Sequence, residues 1–284
     1  MIPLTLCPCY SGHDKLVSIK GSPMKILVTN DDGIFAQGLW VLAKELKNIA
    51  EVVVVAPDRE QSAVGTAVTL RQPLRVRSVR PLVPEVEAYS VEGTPSDSVI
   101  MALGKLAKDK VNLVISGINQ GPNLGDDVLI SGTVGAAMQG YLHGFPAIAI
   151  SAASVDSPYL ATAAKLAALL AKKIDSGALP TNILLNVNLP NLPLTKIKGV
   201  KITRLARKSH TDAVEEGHDG VRKYYWLIRQ GTDKDRKDRD KRTDIWAMEQ
   251  GSISITPLLT NLSSKSLLTI TDSLCSDLFQ ELQQ

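Results

Sequence analysis

The stretch MKILVTNDDG, Met24 to Gly33, decides how this chain is read, because a short apolar run ends there on two adjacent carboxylates and a glycine. Ile26, Leu27 and Val28 are apolar without alternation, the pattern of a strand covered on both faces, and such strands belong to parallel sheets packed between helices. In sheets of that kind ligands collect at the carboxyl edge of the strands, where Asn30, Asp31 and Asp32 fall. Gly33 permits a tight exit toward a helical pattern running from Gln37 to Lys47. In a regular strand Asp31 and Asp32 would face opposite sides, so they converge only if the backbone turns between them. Two converging carboxylates repel unless a proton or a cation lies between, and a hard divalent metal such as Mg²⁺ suits two carboxylates plus phosphate oxygens. Taken alone, the same pair also suits a helix N-cap followed by an acid that favours the helix dipole.

Working outward, EVVVVAP at Glu51 to Pro57 is a second buried strand, and the strand–helix–strand unit implies a right-handed parallel crossover. Thr69 to Val79 and Val86 to Val91 alternate more and read as weaker strands, followed by a helix from Ser96 to Leu106. Val111 to Ile115 is a further central strand, and Ser116 to Asp127 reads as a long Gly- and Asn-rich loop. A helix is entered at Ser131, and Pro146 to Ser151 and Asn182 to Leu189 are strands flanking an amphipathic helix at Tyr159 to Ile174. Beyond Pro193 the pattern changes. Lys196 to Arg204 and Arg222 to Gln230 alternate like exposed antiparallel strands, joined through the polar segment Arg207 to Gly220. The run Asp233 to Arg242 has no apolar residue and suits a solvated hairpin tip, Gly251 to Leu258 is a last strand, and Ser273 to Leu282 a closing helix.

Composition narrows the function classes. With 284 residues and 44% hydrophobic content the chain can bury a full core, and aromatics at 4% make that core aliphatic. A net charge of +3 gives little electrostatic case for nucleic acid or a membrane surface, and no apolar stretch reaches the ~18 residues of a membrane span. Cys7, Cys9 and Cys275 are an odd number without a paired framework, which favours a cytoplasmic setting. Met1 to Pro23 carries two prolines within a short apolar run and no basic leader, so it reads as a disordered extension or a misassigned start, with Met24 directly before the first strand.

Three further loops leave strand ends on the same edge. Ser62 follows the second strand and Asn119 the Val111 to Ile115 strand; a hydroxyl and a carboxamide oxygen are modest hard-cation ligands that could complete a site begun by Asp31 and Asp32, though each is also an ordinary turn residue. Ser131-Gly132-Thr133 opens a helix whose free N–H groups and positive dipole end form an anion site, or equally a simple N-cap.

Together NDDG, the Ser62 loop, SGINQGPN and SGT resemble, in order and spacing, the survival protein E (SurE) family of metal-dependent phosphatases, also called 5′-nucleotidases, from Met24 to near Leu258. The resemblance implies that Asp31, Asp32, Ser62 and Asn119 hold one divalent cation, Mg²⁺ or Mn²⁺. It implies that Asn123, Ser131, Gly132 and Thr133 line a phosphate pocket. The implied fold is α/β: a Rossmann-like, mostly parallel sheet sandwiched by helices over residues 24–193, then a hairpin-rich oligomerisation extension over 194–284 that exchanges elements in a homodimer or homotetramer. The implied reaction is hydrolysis of nucleoside monophosphates, with 3′-nucleotides and short polyphosphate as further substrates, and Asp31 and Asp32 as catalytic residues. We expect water and not a carboxylate to attack, because both acids are more useful as ligands.

Competing classes fit less well. A dinucleotide-binding oxidoreductase needs G-x-G-x-x-G where this chain has two acids, and aspartyl-phosphate phosphatases separate their two carboxylates by one residue. A metal-dependent nucleotide-binding or stress-response protein without turnover would keep the same ligands, and phosphate release separates it from an enzyme.

Overall fold

A computed structural model describes residues 24–107, 111–154, 156, 159–207, 210–231, 240–261 and 281–282. The expectations for Met1 to Pro23, for most of Asp233 to Arg242 and for nearly all of the closing helix therefore lie outside the described residues.

The first strand, β1 (Lys25–Thr29), leads through α1 (Gln37–Leu46) to β2 (Glu51–Pro57), which pairs with it in parallel. The chain continues through β3 (Val76–Ser78), β4 (Glu87–Val91), α2 (Pro95–Met101), which widens into a π-helical turn at Ala102–Leu106, and β5 (Leu113–Gln120). Then follow α3 (Gly132–Leu142), β6 (Ala147–Ala152), α4 (Leu160–Asp175) and β7 (Leu184–Leu189). The last described elements are β8 (Val200–Ile202), β9 (His210–His218), β10 (Lys223–Gly231), α5 (Asp244–Glu249) and β11 (Ile253–Pro257).

Nine strands form one sheet in the order β3-β4-β2-β1-β5-β6-β7-β11-β8. From β4 to β7 all neighbours are parallel, as the apolar runs predict. Alternation across β1 shows why the run is continuous. Ile26 and Val28 join the core under α1 and α4, whereas Leu27 joins the core under α2 and α3. Each strand residue thus finds a helix on its own face, at about 1.5–3 kcal/mol for a fully buried aliphatic side chain.

Order reverses at β1. The chain moves outward from β1 to β2 and β4, then returns to place β5 on the other side of β1. The carboxyl ends of β1 and β5 flank this reversal, the place where open α/β sheets leave a crevice.

Four expectations are corrected. Of Thr69 to Val79 only Val76–Ser78 is strand, antiparallel to β4 at the sheet edge. The loop expected from Ser116 is strand through Gln120 and stays paired with β6 across a register shift between Gly117 and Asn119; the glycine breaks the apolar pattern without breaking the ladder. Lys196 to Arg204 was expected to be exposed antiparallel strand; its strand part, β8, runs parallel to β11 at the edge of the main sheet, and β11 runs antiparallel to β7. Residues beyond 193 thus supply two strands to the core sheet. Finally, the polar segment Arg207 to Gly220 contains β9, paired along its whole length with β10. A strand with water on both faces needs no apolar alternation, so its sequence carries no strand signal.

Candidate active site

Thr29 is the last residue of β1, and the next four residues form a turn tied down at several points. The Asn30 amide donates to the Gly33 carbonyl (3.1 Å), Ile34 N–H to the Pro57 carbonyl (2.8 Å) and Gln61 N–H to the Asp31 carbonyl (2.7 Å). Gly33 has φ +96°, and a side chain there would reach within 3.0 Å of the Arg59 backbone, so glycine is required on both counts. These bonds strap the NDDG turn to the loop after β2.

Asp31 is buried and faces the start of α3. Its Oδ1 accepts from the Thr133 hydroxyl, and the Thr133 backbone N–H adds a second bond. Burial raises its pKa above the ordinary carboxylate value, against the opposing effect of the Thr133 bonds. Gly132 lies against it: a Cβ on Gly132 would fall 2.8 Å from Asp31 Cβ. Ser131 caps α3, its hydroxyl accepting from Val134 N–H (3.2 Å).

Burial, the neighbouring Asp31 charge and Glu60 together push Asp32 up to about 7, partly countered by a bond from Gln120 N–H at the end of β5. Its Oδ2 is buried and has no hydrogen-bond partner among the described residues. The sign of the resulting pH dependence is fixed. A carboxyl whose folded pKa lies above its unfolded 3.8 favours folding in its protonated form, so that contribution is full below pH 3.8 and is lost as pH rises through about 7. In metal-free protein this contribution should therefore fall between about pH 4 and pH 7, and Asp32→Asn should flatten that fall by about 1–3 kcal/mol in urea unfolding, since one pKa unit corresponds to about 1.4 kcal/mol. An unchanged slope in Asp32→Asn would show that Asp32 is not the strained acid.

Ser62 and Asn119 complete a recurring pattern. The Ser62 hydroxyl donates to Glu60 Oε1 (2.6 Å), and the Asn119 amide nitrogen donates to the Gly121 carbonyl (2.7 Å). Each of the four residues singled out as ligands is thus oriented by a partner: Asp31 accepts from Thr133 and Asp32 from Gln120 through carboxylate oxygens, whereas Ser62 donates to Glu60 and Asn119 to Gly121. Outer partners of this kind orient the first shell of a metal site. Among the described residues no three His, Cys, Asp or Glu side chains gather as a metal cluster, so a cation at this edge relies on two carboxylates and neutral oxygens.

Asn123 is fixed more deeply. Its N–H donates to Asn188 Oδ1 (2.8 Å), its amide to Ser151 Oγ (2.9 Å), and its carbonyl accepts from the Asn186 (2.8 Å) and Asn188 (3.0 Å) amides. Sequence reasoning missed Ser151, Asn186, Asn188, Glu60 and Gln120. The signal for the asparagines was present: Asn186 and Asn188 alternate within the apolar strand LLNVNL, which puts two amides on one buried face. The Thr133 hydroxyl, expected at the phosphate pocket, donates to Asp31 Oδ1.

The family model described as Survival protein SurE matches residues 26–212. The chain belongs to the SurE family. A protein of Dehalococcoides mccartyi named 5′-nucleotidase SurE is 53% identical over 252 residues, covering 88% of this chain and 94% of its own length. One of the same name from Vibrio parahaemolyticus is 44% identical, covering 91% of this chain and 97% of its own. The crystal structure of the SurE protein from Aquifex aeolicus superposes with a TM-score of 0.72 at 35% identity, covering 88% of this chain and 99% of that one. The mostly parallel sheet, its helical layers and the separate hairpin therefore stand within a SurE fold.

Proposed function

We propose that this chain is a divalent-metal-dependent 5′-nucleotidase that hydrolyses nucleoside monophosphates to nucleoside and phosphate. One observation carries the reading: two adjacent carboxylates at the strand-order reversal, one with an unpartnered buried oxygen, beside the start of α3. Relatives named 5′-nucleotidase SurE support the substrate class.

The residues fit a hard cation. An orphaned Asp32 oxygen in a buried acid pair wants positive charge, and Asp31, Asp32, Ser62 and Asn119 offer oxygen donors held from behind. When bound, Mg²⁺ or Mn²⁺ supplies neutralisation of phosphoryl charge and a lowered pKa for water. Gly132 presents its N–H at the opening of α3 to phosphoryl oxygens, beside the Ser131 hydroxyl, where the helix dipole favours an anion. Thr133 acts through Asp31, holding its carboxylate against the helix start. Asn123 lines the same pocket from a polar anchor that fixes its backbone. Water supplies the oxygen that ends in phosphate, and the ester oxygen leaves with the nucleoside.

Release of inorganic phosphate from a panel of nucleoside 5′- and 3′-monophosphates and short polyphosphate tests the reading. Mg²⁺ or Mn²⁺ should support release from the 5′-monophosphates, and excess chelator should abolish it. Nucleotide binding without release would instead identify a binding protein, and full activity in chelator would remove the metal.

We also infer a homo-oligomer, dimer or tetramer, in a cytoplasmic setting. The β9–β10 pair makes up a separate sheet, and Tyr225, Trp226 and Leu227 are exposed on it. Single apolar residues in solvent need no explanation, but these expose apolar side chains on both faces of the ribbon, Tyr225 and Leu227 on one and Trp226 on the other, which favours a partner covering it. Light scattering at micromolar concentration should give the mass of an oligomer, and Leu227→Lys should lower it while leaving phosphate release per site measurable. A monomeric full chain would overturn this inference. Among the described residues no helix is long and apolar enough to cross a membrane.

A further inference from the structure

The segment after the hairpin returns to the body at Asp244, the first residue of α5 and fully buried. Its carboxylate gathers three backbone N–H groups from three parts of the chain. Oδ2 accepts from Gly125 (2.8 Å), and Oδ1 accepts from Ala206 (2.9 Å) and from Ile245 (2.8 Å). Gly125 belongs to the loop between Asn119 and Ser131, Ala206 to the stretch entering the hairpin, and Ile245 to α5.

From Gly125 a short chain of hydrogen bonds runs to the start of α3. Residues Gly125–Leu129 form a 3₁₀ turn, and both Ile130 N–H (3.1 Å) and Ser131 N–H (3.0 Å) donate to the Asp127 carbonyl. The Ile130 carbonyl in turn accepts from Gly65 N–H (2.7 Å), which joins the loop to the segment after Ser62. Gly125 has φ +54°, and a side chain there would fall 3.0 Å from the Ala206 carbonyl, so the two strands of backbone that Asp244 gathers also touch each other. The opposite end of the loop hangs on Asn123, held by Asn186, Asn188 and Ser151.

We propose that Asp244 is a positioning residue for the phosphate pocket: it fixes Gly125, and through the 3₁₀ turn it sets where the Ser131 hydroxyl and the Gly132 N–H stand. This rests on the reading of the Ser131–Thr133 turn as the phosphate site. The chemistry requires an acid at this position. Three donors converge on two oxygens in a buried setting, and a carboxylate accepts at both, whereas a carboxamide accepts at one and donates at the other. In Asp244→Asn the amide oxygen is drawn to the two donors, Ala206 and Ile245, and the NH₂ group then opposes Gly125 N–H. The substitution keeps α5 docked and releases the loop alone.

Amide hydrogen exchange on the full-length Asp244→Asn variant tests this without turnover. Exchange across residues 121–131 should accelerate by about tenfold or more, as expected for losing a charge-assisted hydrogen bond, while α1 and α4 stay as in wild type. Ile174→Ala, at the far end of α4, serves as a comparably destabilised control that should not open 121–131 selectively. The inhibition constant of inorganic phosphate should rise in Asp244→Asn and not in Ile174→Ala. Gly125→Ala, acting from the loop side, should open the same segment, and the double variant should open it little further. Unchanged exchange at 121–131, or acceleration spread over the chain as in the control, overturns the proposal. If wild type neither hydrolyses nucleotides nor binds phosphate while Asp244→Asn still opens the segment, the phosphate reading fails and the hold of Asp244 on the loop stands.

Discussion

Asp31→Asn and Asp32→Asn should each lower phosphate release from a nucleoside 5′-monophosphate by about a hundredfold or more, in line with removing one preorganised electrostatic group. The two variants lose the same charge from different settings. Asp31 is anchored to Thr133 and faces α3, so an amide there keeps the shape and can still accept the Thr133 hydroxyl while halving the oxygen donors. Asp32 carries the unpartnered oxygen, so an amide there relieves a buried acid and should stabilise the metal-free fold as activity falls. Opposite movement of activity and stability in Asp32→Asn marks a residue kept for chemistry. Steady-state rates at saturating Mn²⁺ together with urea unfolding check both; either variant within about tenfold of wild type would remove that acid from the ligand set.

Gly132→Ala should be nearly as damaging to activity although it removes no functional atom. The added Cβ would stand 2.8 Å from Asp31 Cβ, 3.0 Å from its Oδ2 and 3.1 Å from the Gln61 carbonyl. Neither neighbour can yield easily, because Gln61 N–H holds the Asp31 carbonyl and Thr133 holds the Asp31 carboxylate. The start of α3 must move away instead, and a displacement of about 1 Å in a catalytic constellation can cost about a hundredfold. Overpacking of this kind typically destabilises by about 1–3 kcal/mol, so the melting temperature should fall as well. Near-normal turnover with Gly132→Ala would separate the helix start from the chemistry.

Much of this arrangement was legible because burial on both faces leaves a continuous apolar run, as in Ile26 to Val28 and Val52 to Ala56, and the residues that follow such runs fall on one edge by topology. Asp31, Asp32 and Ser131 could be placed in that way. What lies far apart in sequence could not. That Thr133 addresses Asp31, or that Asn188 cradles Asn123, depends on strand order, which local pattern does not encode. The C-terminal strands were misjudged for a related reason. β8 has only three residues, all exposed, so nothing in Val200–Ile202 announces that it lies parallel to β11 at the rim of the main sheet.

That rim bears on solubility. The nine-stranded sheet ends on β3 at one side and β8 at the other, each three residues long, and β3 carries Arg77 and β8 Lys201 at their centres. Short, charged edge strands are poor templates for adding a foreign strand, which protects a large parallel sheet from growing into aggregates. The β9–β10 ribbon has the opposite character, with nine residues per strand and exposed apolar side chains. Backbone pairing with foreign strands is thereby discouraged at both edges of the main sheet, so a change that lengthened or neutralised β8, such as Lys201→Val, is expected to promote aggregation.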